Sequence, residues 1–474
     1  FSFRQKVDIY LVIKNRLINF FSKKEITAPI RNKMMMNWSN EKNFYNQRKT
    51  KEKLRLKEGR PHTVFYFHSL SDPYSHLTIQ VIKKLISHFN IVLEIFFISQ
   101  PSENFTPERK MYRKHCLKDS KEIAPFYGLK FEAEEFYLKE NENLAYKILD
   151  YFSDMDQGDY IDLIFKVSSL LWDNDKAGLT SIISELSNDE SELLNKKITD
   201  INIEGDKKIQ SLEYYFSASF HYEGENYWGI DRLGYLEDRL IELGLKKNNS
   251  DKNIVKKLEK SKFDPTQIIE KDDPLILEFF PSLNSPYTYI SFKRVKELID
   301  RYPIKLLTKP VLPMLMRNMK IPTHKGKYIL SDSAREGRKH GSIIKDIYSP
   351  IGSPANRAYS LFPIIDSYGS GFRYLEELTK ASFFHGINIG NEEFLEELSN
   401  DLGLPWDKIR VKLDTDNWRS ILEKNLKDMY SGNSWGVPSF KLTNFDNSNP
   451  YYQWGQDRIW LIENEIIDRL SSRR

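Results

Sequence analysis

The feature that most constrains the fold is a strand–turn–helix pattern that occurs twice in the chain. The stretches VFYFHSLSDPYSHL (64–77) and ILEFFPSLNSPYTYI (276–290) align, so that Asp72-Pro73-Tyr74-Ser75 falls on Ser285-Pro286-Tyr287-Thr288. Each begins with an apolar run rich in aromatic and β-branched residues, which is typical of a buried strand. After the first turn, apolar residues recur at helical spacing. Both halves are therefore predicted to contain a strand that runs into a helix.

The rest of the two halves repeats in the same order, which indicates a duplicated unit. Three further pairs of segments align: DSKEIAPFYG (119–128) with DSAREGRKHG (332–341), Asn143-x-Ala145-Tyr146 with Asn356-x-Ala358-Tyr359, and YWGIDRLGYLE (227–237) with QWGQDRIWLIE (453–463). A second strand follows the first helix in each half, at 90–99 and at 304–310, which predicts βαβ units with parallel pairs. Residues 105–200 and 320–425 are predicted to be mostly helical insertions.

These patterns predict the domain organisation of the 474 residues. With 40% hydrophobic and 13% aromatic residues, the chain can form two packed cores. We expect a basic helical arm at 1–60, a first domain at 61–245, a polar linker at 246–272 that is at least partly helical, and a second domain at 273–474.

The net positive charge of the chain comes from its N-terminal arm. Residues 1–60 hold 16 Lys/Arg and 5 Asp/Glu, a balance of +11, so the other residues sum to −7 if the whole chain is +4. Val7, Tyr10, Leu11 and Leu17 are spaced as on an amphipathic helix, which could contact an anionic membrane surface weakly or pack on the first domain. Lys14 and Arg16 interrupt the apolar residues, so we expect neither a secretory signal nor a transmembrane span. We expect a cytoplasmic protein that does not bind nucleic acid.

Two motifs of the second half resemble a known family. LEFFPSLNSPYTY (277–289) and WGVPSFKL (435–442), the latter followed by YYQWGQDRIWLIE (451–463), are similar to motifs of kappa-class glutathione transferases, 2-hydroxychromene-2-carboxylate isomerases and DsbA-like proteins. KGKYILSDSAREGRKHG (325–341) and SPANRAY (353–359) resemble segments of the helical insertion in that family. The resemblance implies an α/β fold of two tandem thioredoxin-like domains, each with a large helical insertion.

The resemblance also implies a catalytic residue and a cofactor. Ser285 occupies the turn where dithiol oxidoreductases carry Cys-x-x-Cys, and Cys116 is the chain's one cysteine, so dithiol oxidoreductase chemistry is excluded. In the transferase and isomerase branch this serine donates a hydrogen bond to the sulfur of glutathione and keeps it as thiolate. The helix N-terminus assists because it favours negative charge. Glutathione is therefore the expected cofactor, and no metal site is expected.

The same family pattern implies the other glutathione contacts. Pro438 is expected to follow a cis peptide bond, and the backbone of Val437 to pair with the cysteinyl part of glutathione. Gln456 and Asp457 are expected to face the γ-glutamyl end. Asn318 matches a family asparagine that contacts glutathione, although its loop is shorter and lacks the usual Gly-Asn pair.

The first copy differs at the positions that matter most. Asp72 replaces the serine, and Ala218 replaces the proline when FSASF (216–220) is aligned with GVPSF (436–440). A carboxylate would repel a thiolate, so we interpret this copy as degenerate, with a structural or gating role. The alternative is that Asp72 acts as a general base on a separate substrate.

The sequence thus predicts a glutathione-dependent transferase or isomerase that acts on a small apolar electrophile. A non-catalytic DsbA-like binding protein is the competing hypothesis. The two copies are expected to pack on each other within one chain, as two subunits would, so that the protein is a monomer.

Overall fold

The computed structural model describes residues 27–184, 201–247, 254 and 274–472. The chain divides into two compact units. Among the described residues, the C-terminal unit comprises 27–46 and 274–472, and the N-terminal unit comprises 47–184, 201–247 and 254. The predicted helix at the start of the arm and nearly all of the predicted linker lie outside the described residues.

The N-terminal unit contains a four-stranded sheet with strand order β2-β1-β3-β4. β1 and β2 are parallel, while β3 pairs antiparallel with both β1 and β4. Aromatic residues fill its centre, where Tyr66, Phe67, Phe220 and Tyr227 are fully buried. Tyr66 and Phe67 are consecutive, so both faces of β1 are covered at this point. The strands are β1 (Thr63–His68), β2 (Val92–Phe97), β3 (Ser219–Tyr222) and β4 (Glu225–Trp228).

The C-terminal unit contains a second four-stranded sheet, with strand order β6-β5-β7-β8. Again the first pair is parallel and the other two pairs are antiparallel. Every residue of β5 is buried, and its sequence is apolar except for Glu278, whose carboxylate forms an ion pair with Lys309 at 2.9 Å. The strands are β5 (Leu275–Phe280), β6 (Ile304–Thr308), β7 (Ser439–Thr443) and β8 (Tyr451–Trp454).

Helices cover both sheets, and the predicted insertions are helical where they are described. The helices that begin before or in the N-terminal unit are α1 (Thr27–Ser39), α2 (Glu41–Lys57), α3 (Pro73–His88), α4 (Arg109–Ile123), α5 (Lys139–Tyr151), α6 (Gln157–Trp172), α7 (Lys176–Ser184), α8 (Asn202–Ser211) and α9 (Gly229–Glu242). Those that follow are α10 (Pro286–Arg301), α11 (Thr323–His340), α12 (Ser353–Ser367), α13 (Gly371–Phe383), α14 (Glu392–Asp401), α15 (Trp406–Ile409), α16 (Arg419–Ser431) and α17 (Ile459–Ser471).

The helix α1 belongs to the C-terminal unit although it precedes the other unit in sequence. Its Met35, Met36 and Trp38 pack against a buried cluster that includes Ile290 of α10 and Leu330 of α11. Residues 41–46 of α2 group with the same unit and residues 47–57 with the N-terminal unit.

Candidate functional site

The strand β5 leads directly into the turn that carries Ser285. Ser285 is the N-cap of α10: its backbone is extended, and its hydroxyl accepts a hydrogen bond from the Thr288 amide at 3.1 Å. Pro286 follows at the first helical position, where its fixed φ suits the helix and no amide donor is lost. The side chain of Ser285 is therefore held at the positive end of a 16-residue helix.

The register of the sheet brings Val437 to this turn. Phe280 at the end of β5 pairs with Ser439 at the start of β7, so the residues just before β7 lie beside the residues just after β5. The Ser285 hydroxyl donates to the Val437 carbonyl oxygen at 3.4 Å, and the Val437–Pro438 peptide bond is cis, as the resemblance implies. The structure thus places Ser285, Val437 and Pro438 together.

Two tryptophans support the segment that leads to Val437. The rings of Trp435 and Trp454 lie 5.2 Å apart, and Gly436 passes so close to Trp454 that a Cβ there would come within 2.5 Å of its ring. The Pro438 carbonyl also accepts from the Gly455 amide at 2.9 Å, which ties the segment to the end of β8. Position 436 therefore requires glycine, because the Trp454 ring leaves no room for a side chain.

Two basic side chains lie on the Trp435 side of the site. The ammonium of Lys325 lies 4.9 Å from the centre of the Trp435 ring, and Arg317 donates to the Trp435 carbonyl at 3.1 Å. Lys325 is buried, which lowers its pKa to about 8, since a charged ammonium is poorly solvated there. These cations make this side of the site favourable for an anion.

Asn318 follows Arg317 on an exposed turn. It ends a short helical turn, Met314–Arg317, in the left-handed conformation (φ 59°), which asparagine adopts more readily than most residues. Arg317 reaches the Trp435 carbonyl, so the turn is anchored next to the segment before Val437.

Gln456 and Asp457 follow β8 and differ in their surroundings. Gln456 is buried, and its side-chain amide is fully engaged: the oxygen accepts from Arg294, and the nitrogen donates to Glu336 at 2.8 Å. Asp457 is partly exposed, and its carboxylate folds over Gly455, whose φ of 108° favours glycine. Of these two side chains, only that of Asp457 is exposed enough to contact a ligand.

Tyr287, the residue after Pro286, is fixed by a hydrogen bond. Its hydroxyl donates to Asp332 at 2.8 Å, and Asp332 forms a buried ion pair with Arg335 at 2.5 Å. Its ring also packs against the cluster beneath α1. Of the two interpretations that the sequence left open for this aromatic position, the structure therefore favours packing.

The turn after β1 in the N-terminal unit has matching contacts. Tyr74 donates to Asp119 at 2.7 Å, as Tyr287 donates to Asp332. The Leu70 amide donates to the Tyr146 hydroxyl at 3.4 Å, and the Leu283 amide donates to the Tyr359 hydroxyl at 3.2 Å.

The N-terminal turn differs in its cap. Asp72 caps α3 by accepting from the Tyr74 amide at 3.0 Å, and it also accepts from the Ser217 hydroxyl at 2.7 Å. Ala218, where the other unit has proline, has a φ of 55°, which is unusual for alanine. Burial raises the pKa of Asp72 to about 6.

Sequence reasoning missed several residues that shape the site. The positions of Arg294 and Glu336 follow from side-chain contacts across three elements, which no local pattern encodes. The contact of α1 was also missed: the Asn32 side chain accepts from the Ser349 amide, and the Ser349 hydroxyl donates to Asn284, next to Ser285. Lys325 lies in a segment that resembles the family, but its burial beside Trp435 follows from the fold.

Comparison with known proteins identifies the class of this unit. Residues 276–466 match the DSBA-like thioredoxin domain, and this unit has the thioredoxin-like fold of that domain. No curated protein matches the chain.

Solved structures resemble the chain distantly. A 2-hydroxychromene-2-carboxylate isomerase is 17% identical, with 42% of this chain and 97% of that chain covered and a TM-score of 0.35. The cytosolic disulfide reductase DsbM of Pseudomonas aeruginosa is 14% identical, with 42% and 98% covered and a TM-score of 0.33. A probable DsbA oxidoreductase of Streptomyces coelicolor is 15% identical, with 42% and 91% covered and a TM-score of 0.33. Similarities this low carry no information on what the chain binds.

Two further observations concern the described residues alone. They contain no group of three or more His, Cys, Asp or Glu side chains placed to hold a metal ion. None of their helices has the length and apolar composition needed to cross a bilayer.

Proposed function

We propose that the C-terminal unit is a glutathione-dependent transferase or isomerase of the 2-hydroxychromene-2-carboxylate isomerase type, acting on a small apolar electrophile. The observation that carries the proposal is the position of the Ser285 hydroxyl, at the N-terminus of α10 and in contact with the Val437 backbone. Glutathione, when bound, would supply the thiol. With no cysteine at this turn, a thiol reaction here requires one from outside the chain.

The Ser285 hydroxyl is suited to donating to a thiolate. The hydroxyl now donates to the Val437 carbonyl oxygen at 3.4 Å. This distance is long for an O–H donor, so the hydrogen bond is weak. One lone pair of the Ser285 hydroxyl accepts from the Thr288 amide, which fixes the oxygen. Turning the hydrogen towards a sulfur would then cost little, and α10 adds a favourable potential for negative charge.

The backbone of Val437 is suited to pairing with an extended peptide. The β7 ladder begins at Ser439, so Val437 lies beyond the paired residues at the end of the strand. A short peptide laid along this end would form the main-chain contacts of an added strand. Val437 and Pro438 would thus position the cysteinyl part, and Asn318 would contact the ligand from its adjoining turn.

The charged residues fit the ends of glutathione, which carries carboxylates and an ammonium. Lys325 and Arg317, next to Trp435, would attract a carboxylate. Asp457 would pair with the γ-glutamyl ammonium, while Gln456, held by Arg294 and Glu336, would position the Asp457 turn.

We also propose that the N-terminal unit is a second copy of the same fold without this site. The identical strand order of the two sheets and the matching tyrosine contacts support a tandem duplication. Asp72 would repel a thiolate, and Ala218 does not provide the proline turn.

Calorimetry with glutathione tests the proposal. We expect one site per chain, a binding signal retained in Asp72→Ala, and loss of turnover with a model electrophile in Ser285→Ala. Two equal sites, or a single site lost in Asp72→Ala and unchanged in Ser285→Ala, would place the function elsewhere. Binding without turnover of any electrophile in the parent protein would favour the non-catalytic alternative.

A further inference from the structure

The N-terminal unit has its own pocket at the Asp72 turn. About 440 Å³ of empty space lies in the pocket and its open mouth together. Its lining combines apolar side chains, such as those of Phe136 and Phe216, with the polar side chains of Asp72, Gln100, Arg109, Arg113 and Ser217.

In the part of the chain that the structure describes, the two arginines of this pocket have no acidic partner. Arg109 and Arg113 lie one turn apart on α4, a spacing at which like charges repel. Arg109 donates to the Pro101 carbonyl at 2.6 Å, and Arg113 lies 3.9 Å from the centre of the Phe136 ring. Neither guanidinium pairs with a carboxylate within the described residues, although both are partly buried. An anion in the pocket would neutralise this charge with strong bonds.

The same pocket holds a carboxylate that does not neutralise the arginines. Asp72 accepts from the Tyr74 amide and from the hydroxyls of Ser75 and Ser217 at 3.0, 3.2 and 2.7 Å. A carboxylate has about four acceptor positions, so it can take a further donor from a ligand. Because Asp72 forms no ion pair with Arg109 or Arg113, the opposite charges occupy separate parts of one pocket.

We infer that this pocket binds a small organic anion that also carries a hydrogen-bond donor. Its phosphate or carboxylate contacts Arg109 and Arg113, and its ammonium or hydroxyl contacts Asp72. On this inference, Asp72 and Ala218 stand in place of the serine and proline because this unit binds a different ligand, and Asp72 is one of its binding residues. This site is separate from the one proposed at Ser285.

Three small probes test the inference on the full chain by calorimetry. O-Phosphoethanolamine carries a phosphate and an ammonium, β-alanine a carboxylate and an ammonium, and ethyl phosphate a phosphate with no ammonium. We expect O-phosphoethanolamine or β-alanine to bind at one site per chain. The probe that binds more tightly shows whether the pocket prefers a phosphate or a carboxylate. The probe without the ammonium should bind at least about tenfold more weakly than O-phosphoethanolamine if the pocket prefers a phosphate.

Variants locate the binding. Arg113→Gln should weaken the tighter probe at least about tenfold, because a charge-assisted bond is lost. Lys114→Gln removes the same charge from the exposed neighbouring position on α4 and should change affinity less than about twofold. If the tighter probe is O-phosphoethanolamine, Asp72→Asn should remove its advantage over ethyl phosphate. Circular dichroism checks that each variant is folded, and Arg113→Lys replaces Arg113→Gln if the latter is not.

Several results would overturn the inference. One is that neither O-phosphoethanolamine nor β-alanine binds at millimolar concentration. Another is that the Arg113 and Lys114 variants lose affinity equally, which would mean general attraction to a basic helix. A third is that the variant Asp72→Asn leaves the affinity of the tighter probe unchanged.

Discussion

At the scale of single residues, the two units differ in the side chain that caps the first helix after the first strand, Asp72 in one and Ser285 in the other. Ser285 and Asp72 both cap a helix that begins with proline, and both accept from a backbone amide of the first turn. The serine is neutral and can donate to a thiolate, whereas the carboxylate is an acceptor when ionised. This difference, together with Ala218 in place of the proline, separates the functions that we propose for the two turns.

The raised pKa of Asp72 predicts a dependence of stability on pH. Its folded pKa is about 6, above the ordinary 3.8, so the native state binds more protons between these values and its stability falls as pH rises through them. Asp72→Asn keeps an acceptor for the Tyr74 amide and removes this penalty. We expect the variant to be more stable than the parent near neutral pH by about 1–3 kcal/mol, and the gain to vanish below the unfolded pKa.

Thermal melts over a pH series measure this effect. Glu103→Gln, at an exposed position of the same unit, serves as control and should give no comparable gain. A gain from Asp72→Asn that is the same at acid and neutral pH would show that ionisation of Asp72 is not its cause.

Lys325 is predicted to lower stability while supporting binding. Burial lowers its pKa to about 8 from 10.5, so the unfolded state binds more protons in this window and stability rises as pH increases through it. At neutral pH the buried charge costs free energy, in part offset by the Trp435 ring. Lys325→Met should therefore raise stability by about 1–3 kcal/mol near neutral pH and weaken glutathione binding.

Denaturant unfolding and calorimetry on the same samples check both effects. Lys327→Met changes an exposed lysine of the same helix and should alter neither stability nor affinity appreciably. If Lys325→Met binds glutathione as tightly as the parent, Lys325 is not part of the binding site.

At the scale of elements, the sequence predicted the strands and the helices that follow them, but not the contacts between distant side chains. The largely apolar run before the Ser285 turn appears as β5, all of whose residues are buried, and the helix predicted after that turn appears as α10, whose buried residues recur at helical spacing. The bonds of Gln456 with Arg294 and Glu336 join residues more than a hundred positions apart. Such contacts depend on how the elements pack. The sequence pattern therefore predicted that Gln456 lies near the ligand, but not that its side chain bonds to Arg294 and Glu336.

The close approach of Gly436 to Trp454 gives a test at the element scale. In Gly436→Ala the new Cβ would come within 2.5 Å of the Trp454 ring, so the ring or the segment before Val437 must move. Overpacking of this kind costs about 1–3 kcal/mol. We expect Gly436→Ala to lower the melting temperature and to weaken glutathione binding together.

Gly234 in α9 provides the matched control. A Cβ there would meet no atom within 4 Å, and alanine stabilises a helix interior by about 0.5–1 kcal/mol relative to glycine. Gly234→Ala should therefore raise stability and leave glutathione affinity unchanged. An equal loss of stability in both variants would show that the Trp454 contact is not responsible.

At the scale of the whole molecule, the compact units do not follow the order of the chain. The sequence placed residues 1–60 in one arm, whereas within the described residues 27–46 group with the C-terminal unit. The contacts of Met35, Met36 and Trp38 explain this, since they pack beneath a cluster that belongs to α10 and α11. The sequence pattern of the arm is weak because few of its residues are buried.

The proposed duplication predicts a monomer, because a duplication can internalise an interface that single-domain relatives form between subunits. Light scattering coupled to size exclusion should then give the mass of one chain, 56.1 kDa, over a range of concentrations. A mass near twice that value would contradict the internal pairing of the copies.

The ionisation of bound glutathione is the measurement that tests the central claim most directly. The thiolate absorbance of glutathione, followed over a pH series on the parent protein and on Ser285→Ala, gives the pKa of the bound thiol. Ser285 and the α10 N-terminus should hold this pKa at least about one unit below the free value near 8.5, and Ser285→Ala should raise it towards that value with most of the affinity kept. A bound thiol with the same pKa in both proteins, or no binding of glutathione by the parent, would contradict the proposed site.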